Sequence, residues 1–216
     1  MKYFSLFVLA LLSASPVAAH PHVFVDTGLE IIFDDNGEMT HVRVTWQYDE
    51  LYSLLITEDM GLDPDYDGVL TAAEQEVLTG FDMKWIEGFD GDVEVLDGTG
   101  VLPLSGPSMA TATFEEGRIT TTHLRKILST VILTDTVAIK PYDPTYYTAY
   151  DVTLPVVITG ADTCRARVKM PDIDADLTAL RDQLSTLDPN AEPQDVGLPN
   201  IGAELANDVI VTCAGS

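Results

Sequence analysis

The sequence predicts an α+β chain: a mainly antiparallel, sandwich-like β body carrying one inserted helix–loop–helix segment. Three observations point there. Two stretches rich in Val, Ile, Phe and Thr flank a DDNG turn at residues 34–37. The apolar spacing then becomes helical on either side of an acidic loop, and short strand-like runs separated by Gly, Asp or Pro follow. A length of 216 residues suits one domain.

The chain opens with Lys2, an uncharged apolar run over residues 3–12, and the small residues Val17, Ala18 and Ala19. That order is the pattern of a secretory signal peptide cut after Ala19. No later stretch approaches the roughly 18 apolar residues of a spanning helix. Residues 1–19 are therefore expected to be removed, leaving residues 20–216 as one periplasmic domain with its insertion at 49–88.

Residues 22–33 and 38–47 read as strands, and the Asn-Gly pair between them favours a hairpin turn that matches strand twist. Asp49 is a plausible N-cap for a helix in which Leu51, Leu54 and Leu55 recur at helical spacing. Val77, Leu78, Phe81 and Trp85 predict a second helix over 72–87. Further strands are expected at 92–96, 110–114, 130–140, 150–159, 166–170 and 207–213, with a short helix near 123–128. Residues 174–187 read as a surface helix, and the Pro-rich stretch to Pro199 as a covering loop.

Eleven Lys and Arg stand against 35 Asp and Glu, a formal charge of −24. Binding to nucleic acid or to anionic lipid needs clustered cations, and none are present. Cys164 and Cys213 are the only cysteines. In an oxidising compartment an even count favours a disulfide, and closing a loop of about 50 residues contributes roughly 3–4 kcal/mol in the chain-entropy model. Their spacing matches no zinc pattern.

The strongest motif is DPDYDGVLTAAE, residues 63–74, which fits the twelve-residue calcium loop of an EF-hand. Asp63, Asp65 and Asp67 fall at positions one, three and five, where alternation lets carboxylates converge. Gly68 stands at the sharp turn, Val69 would give its carbonyl, Thr71 would act at position nine, and Glu74 would bind through both oxygens. Thr71 and Glu74 also form a capping box, but capping requires no alternating aspartates upstream. Pro64 at position two is unusual. Residues 172–176 (DIDAD) are rejected as a second loop because Leu177 stands where Gly is needed.

Cleavage after Ala19 would leave His20-Pro21-His22 at the amino terminus. A free amine with imidazoles suits Cu, Ni, Co or Zn. Pro21 has no N–H to lose, which blocks the chelate built on two deprotonated amides. A further ligand would come from elsewhere, such as His123. His41 and His123 otherwise read as ordinary strand histidines, and residues 142–150 (YDPTYYTAY) equally as packing around an Asp-Pro turn or as a binding segment.

Together these features resemble the small periplasmic proteins catalogued as a domain of unknown function and labelled "ABC-type uncharacterised transport system, periplasmic component". The resemblance rests on His20-Pro21-His22; Trp46, Asp49, Glu50, Tyr52 and Ser53; the acidic loop; residues 142–147; and Cys164 with Cys213. It implies a metal-handling accessory role beside a membrane transporter. The expectation is an exported, non-enzymatic protein with Ca²⁺ in the loop and a transition metal at His20 and His22. Two alternatives stand: a copper-dependent oxidase or monooxygenase using the N-terminal histidine, and a calcium-stabilised interaction module.

Overall fold

In the computed structural model, residues 21–131, 136–188, 191 and 193–214 are described. The expected signal peptide and His20 lie outside the described residues. Strands β1 (Val23–Phe33) and β2 (Met39–Tyr48) pair antiparallel as the expected hairpin. In its turn the Asp34 carboxylate accepts from the N–H groups of Asn36 and Glu38. Gly37 takes φ 77°, a left-handed conformation that a side chain would resist.

Two sheets are built on this hairpin. The first runs β5 (Ser108–Glu115), β6 (Arg118–Lys126), β2, β1 and β8 (Thr148–Asp151), with β9 (Val156–Thr159) also on β1. The second runs β10 (Cys164–Lys169), β11 (Asp208–Cys213), β7 (Val137–Pro141), β3 (Val93–Asp97) and β4 (Gly100–Leu102). Val25, Ile31 and Val44 of the first sheet join Val95, Ile139 and Val211 of the second in one buried cluster. Cys164 and Cys213 face each other across β10 and β11 and are bonded, which fits an exported protein.

Most strand pairs are antiparallel, but β8 and β9 lie parallel to β1, one after the other along its edge. The sequence read 150–159 as one strand. The break falls where Leu154 N–H bonds Thr27 and the Pro155 carbonyl accepts from Leu29. Gly28 permits this close crossing, since a Cβ there would lie 3.0 Å from Leu154 Cβ and 3.2 Å from the Pro155 oxygen.

Helices α1 (Glu50–Asp59) and α2 (Ala72–Leu78) lie between β2 and β3, and α3 (Ala175–Ser185) and α4 (Gly202–Leu205) between β10 and β11. Two further expectations need correction. Helix α2 stops at Leu78: Thr79 is extended and Gly80 takes φ 79°, so Trp85 lies in the loop beyond it. Residues 123–126 are the end of β6 and not the start of a short helix. Alternate inward packing of Ile119, Thr121, His123 and Arg125 imposes the strand period.

Helix α1 forms where expected, capped by Asp49. Its leucine spacing does not mark its buried face. Ser53 and Thr57 are buried instead, while Leu51, Leu54 and Leu55 are exposed. Ser53 Oγ accepts the N–H of Ile119 at 2.9 Å, so the helix is held to β6 by a small polar face. No described helix is long and apolar enough to cross a membrane.

Candidate metal centre

Asp49 fixes the start of the acidic segment. One carboxylate oxygen accepts the Tyr52 N–H at 2.8 Å and caps α1; the other accepts the Phe24 N–H at 2.8 Å. One side chain thus ties the helix to β1. Beyond α1, buried Leu62 anchors one end of the loop. Buried Leu78 anchors the other, and the Gln75 side-chain amide donates to the Ala112 carbonyl of β5. Residues 63–74 are suspended between these anchors.

Within the loop the backbone turns at Asp63 (φ 51°), Tyr66 (φ 55°) and Gly68 (φ 78°). The Asp63 carboxylate accepts from the N–H groups of Asp67 at 3.0 Å and Gly68 at 3.1 Å, and that of Asp67 from Val69 at 2.8 Å. These bonds fold the chain so that carboxylate oxygens of Asp63, Asp65 and Asp67 lie within 4.8 Å of one another. Such spacing suits a hard cation. Oxygens at 2.3–2.6 Å from Ca²⁺ stand at most about 5 Å apart, and every donor here is oxygen.

Glu74 stands outside that group. Its Oε1 accepts the Asp63 N–H at 3.2 Å, and its Oε2 accepts the Thr71 N–H at 2.8 Å and hydroxyl at 2.6 Å. Hydrogen bonds from Thr71, the hydroxyl foremost, hold the carboxyl below the usual Glu range. Glu74 therefore closes the loop by joining its first residue to the capping box of α2. Thr71 Oγ1 serves the same cap, and the Val69 side chain is exposed. Of the six expected ligands, three carboxylates converge and Glu74 is parked beside them on the backbone.

The histidines separate. His22 donates its N–H to the Tyr147 carbonyl at 2.8 Å, and its ring lies 4.6 Å from that of Tyr147. The HPH and YDPTYY segments therefore meet. Asp143 shapes the second of these by accepting from the Thr145 N–H, the Thr145 hydroxyl and the Thr148 N–H. His123 is fully buried between Trp46, 4.8 Å away, and Trp85, 5.7 Å away. Burial pushes its pKa down to about 3, and it offers no surface ligand beside His22. His41 bonds Thr40 on β2.

The family whose model matches residues 5–213 is described as a protein of unknown function (DUF1007). The chain belongs to this family. No curated protein matches it.

In this DUF1007 chain the W-x-x-D-E-x-Y-S residues have physical assignments: Trp46 is core, Asp49 the cap, Tyr52 half-buried, and Ser53 the buried acceptor. Sequence reasoning missed a second set of polar groups. Asp82 accepts from the Tyr48 hydroxyl at 2.9 Å and the Thr121 hydroxyl at 2.7 Å, and burial raises its pKa. Asp92 accepts from Tyr150 at 2.8 Å, and burial raises it to about 7. Arg125 is buried over the Trp85 ring and donates to the Ser105 and Asp90 carbonyls. The only sequence trace of these contacts is that Tyr48, Thr121 and Arg125 fall on inward strand positions.

Proposed function

We propose that this DUF1007 chain is an exported, non-enzymatic metal-binding accessory protein that holds Ca²⁺ in an EF-hand-like loop, residues 63–74. The convergence of three carboxylates within 4.8 Å carries the reading. Asp63, Asp65 and Asp67 would supply the first oxygens, Glu74 a bidentate pair on leaving Thr71, and Val69 and Thr71 the remaining positions. A bound cation would relieve the mutual repulsion of these acids and order the segment between α1 and α2. The expected role is structural.

The reading extends to the amino terminus, where His20 and His22 would take Ni, Co, Zn or Cu and pass it to a membrane transporter. Its support is the HPH start itself and the fixing of His22 against Tyr147. The enclosure of His123 leaves the copper oxidase alternative with His41 on β2 as its remote imidazole.

Titration calorimetry of the mature chain tests the calcium reading. Uptake of one Ca²⁺ with a Kd on the order of 10⁻⁴–10⁻³ M is expected, weakened about tenfold or more by Asp65→Ala. Absence of uptake at millimolar Ca²⁺, or uptake indifferent to Asp65→Ala, refutes it.

A further inference from the structure

Leu51, Leu54, Leu55 and Glu58 follow the i, i+3, i+4, i+7 spacing of a helical stripe. The fold turns that stripe to solvent: Leu51 is 66% exposed, Leu54 49% and Leu55 58%. Helix α1 cannot roll to bury them without breaking the Ser53 bond to Ile119 and the Asp49 bond to Phe24. At the amino-terminal end of the stripe Phe24 is 52% exposed, its backbone tied to Asp49. Single exposed apolar residues need no account, but an ordered stripe locked outward marks a contact surface.

Charge decides what fits it. Residues 44–83 contain ten Asp and Glu and no Lys, Arg or His. Glu50, Glu58 and Asp59 border the leucines on the helix itself. A second copy in a two-fold pair would set the same acids against one another, and an anionic lipid surface would repel them. Apolar side chains bracketed by Lys or Arg match both the stripe and its rim.

We infer that the outward face of α1 docks a basic amphipathic polypeptide segment, a helix whose leucine-like side chains are flanked by Lys or Arg. This site is distinct from the acidic loop and does not depend on calcium, since the helix is positioned by Asp49 and Ser53.

Fluorescence anisotropy with the mature chain and a labelled peptide of about 18 residues, Leu on one helical face and Lys on the other, tests it. Binding is expected, falling about tenfold or more with Leu51→Ser/Leu55→Ser and several-fold at about 0.5 M salt. Leu128→Ser, an exposed apolar position elsewhere, should leave it unchanged. Unaltered circular dichroism and Tm would show that the double variant is folded; a Leu54→Ser variant repeats the measurement if it is not. Equal binding by wild type and leucine variants would overturn the inference by leaving charge alone as the cause. So would a leucine-dependent homodimer in sedimentation, or preferential binding to phosphatidylcholine vesicles.

Discussion

Two sets of carboxylates in this molecule meet opposite circumstances. Asp63, Asp67 and Glu74 lie in a surface loop and accept hydrogen bonds from backbone N–H groups. Asp82 and Asp92 lie inside and accept from the hydroxyls of Tyr48, Thr121 and Tyr150. Hydrogen bonds to a solvated carboxylate favour its charged form, and Glu74 is held low. Phenols give the interior pair similar bonds, yet loss of water outweighs them and both are raised. The outer set lies at the surface, where a cation can reach it.

The contrast breaks first at Asp82. Replacing it by Leu strands two buried hydroxyls and should cost about 3 kcal/mol in urea unfolding, with Asp82→Asn costing less. Asp65→Asn should change calcium-free stability by less than about 0.5 kcal/mol. Equal losses at the two sites would erase the distinction.

A pH series sharpens it. Asp92 has a folded pKa raised from 3.8 to about 7. Between those values the folded chain binds more protons than the unfolded one, so this group removes stability as pH rises. His123, lowered from 6.5 to about 3 by burial, acts in the opposite sense: its contribution is lost as pH falls through that window. The two oppose each other from about pH 4 to 6.5. Above this, Asp92 outweighs His123, and the pair lowers stability by roughly 0.3–0.4 kcal/mol per pH unit near pH 7. Stability measured from pH 6.5 to 7.5 should decline in wild type and cease to decline, rising slightly, in Asp92→Asn.

The smallest effect belongs to the cap. Thr71→Ala should cost about 0.5–1 kcal/mol of α2 capping and let the Glu74 pKa rise toward its ordinary value, read by NMR titration. An unmoved Glu74 would show that Thr71 does not hold it.

What could be read from the sequence was local. The DDNG hairpin, the Asp49 cap, the alternating aspartates before Gly68 and the cysteine pair each lie within one short segment or follow from a count of two. The end of α2 was missed because Val77, Leu78, Phe81 and Trp85 keep helical spacing across Gly80. The outward leucines of α1 were hidden for a different reason: a single hydrogen bond from β6 selects Ser53 as the inward residue. The parallel seating of β8 and β9, and the meeting of Asp82 with Tyr48 and Thr121, join residues far apart in sequence. No periodicity records such contacts.

The bond between Cys164 and Cys213, 49 residues apart in sequence, encloses β10, α3, α4 and β11 in a covalent ring. A pulling force applied through the two ends of the chain would bypass everything inside. About 160–180 Å of potential extension stays locked away. Tension arriving from either end would instead be spent on the chain before Cys164, the acidic segment included. In mechanical terms the ring from Cys164 to Cys213 is a closed buckle, and the part proposed to bind calcium is the strap.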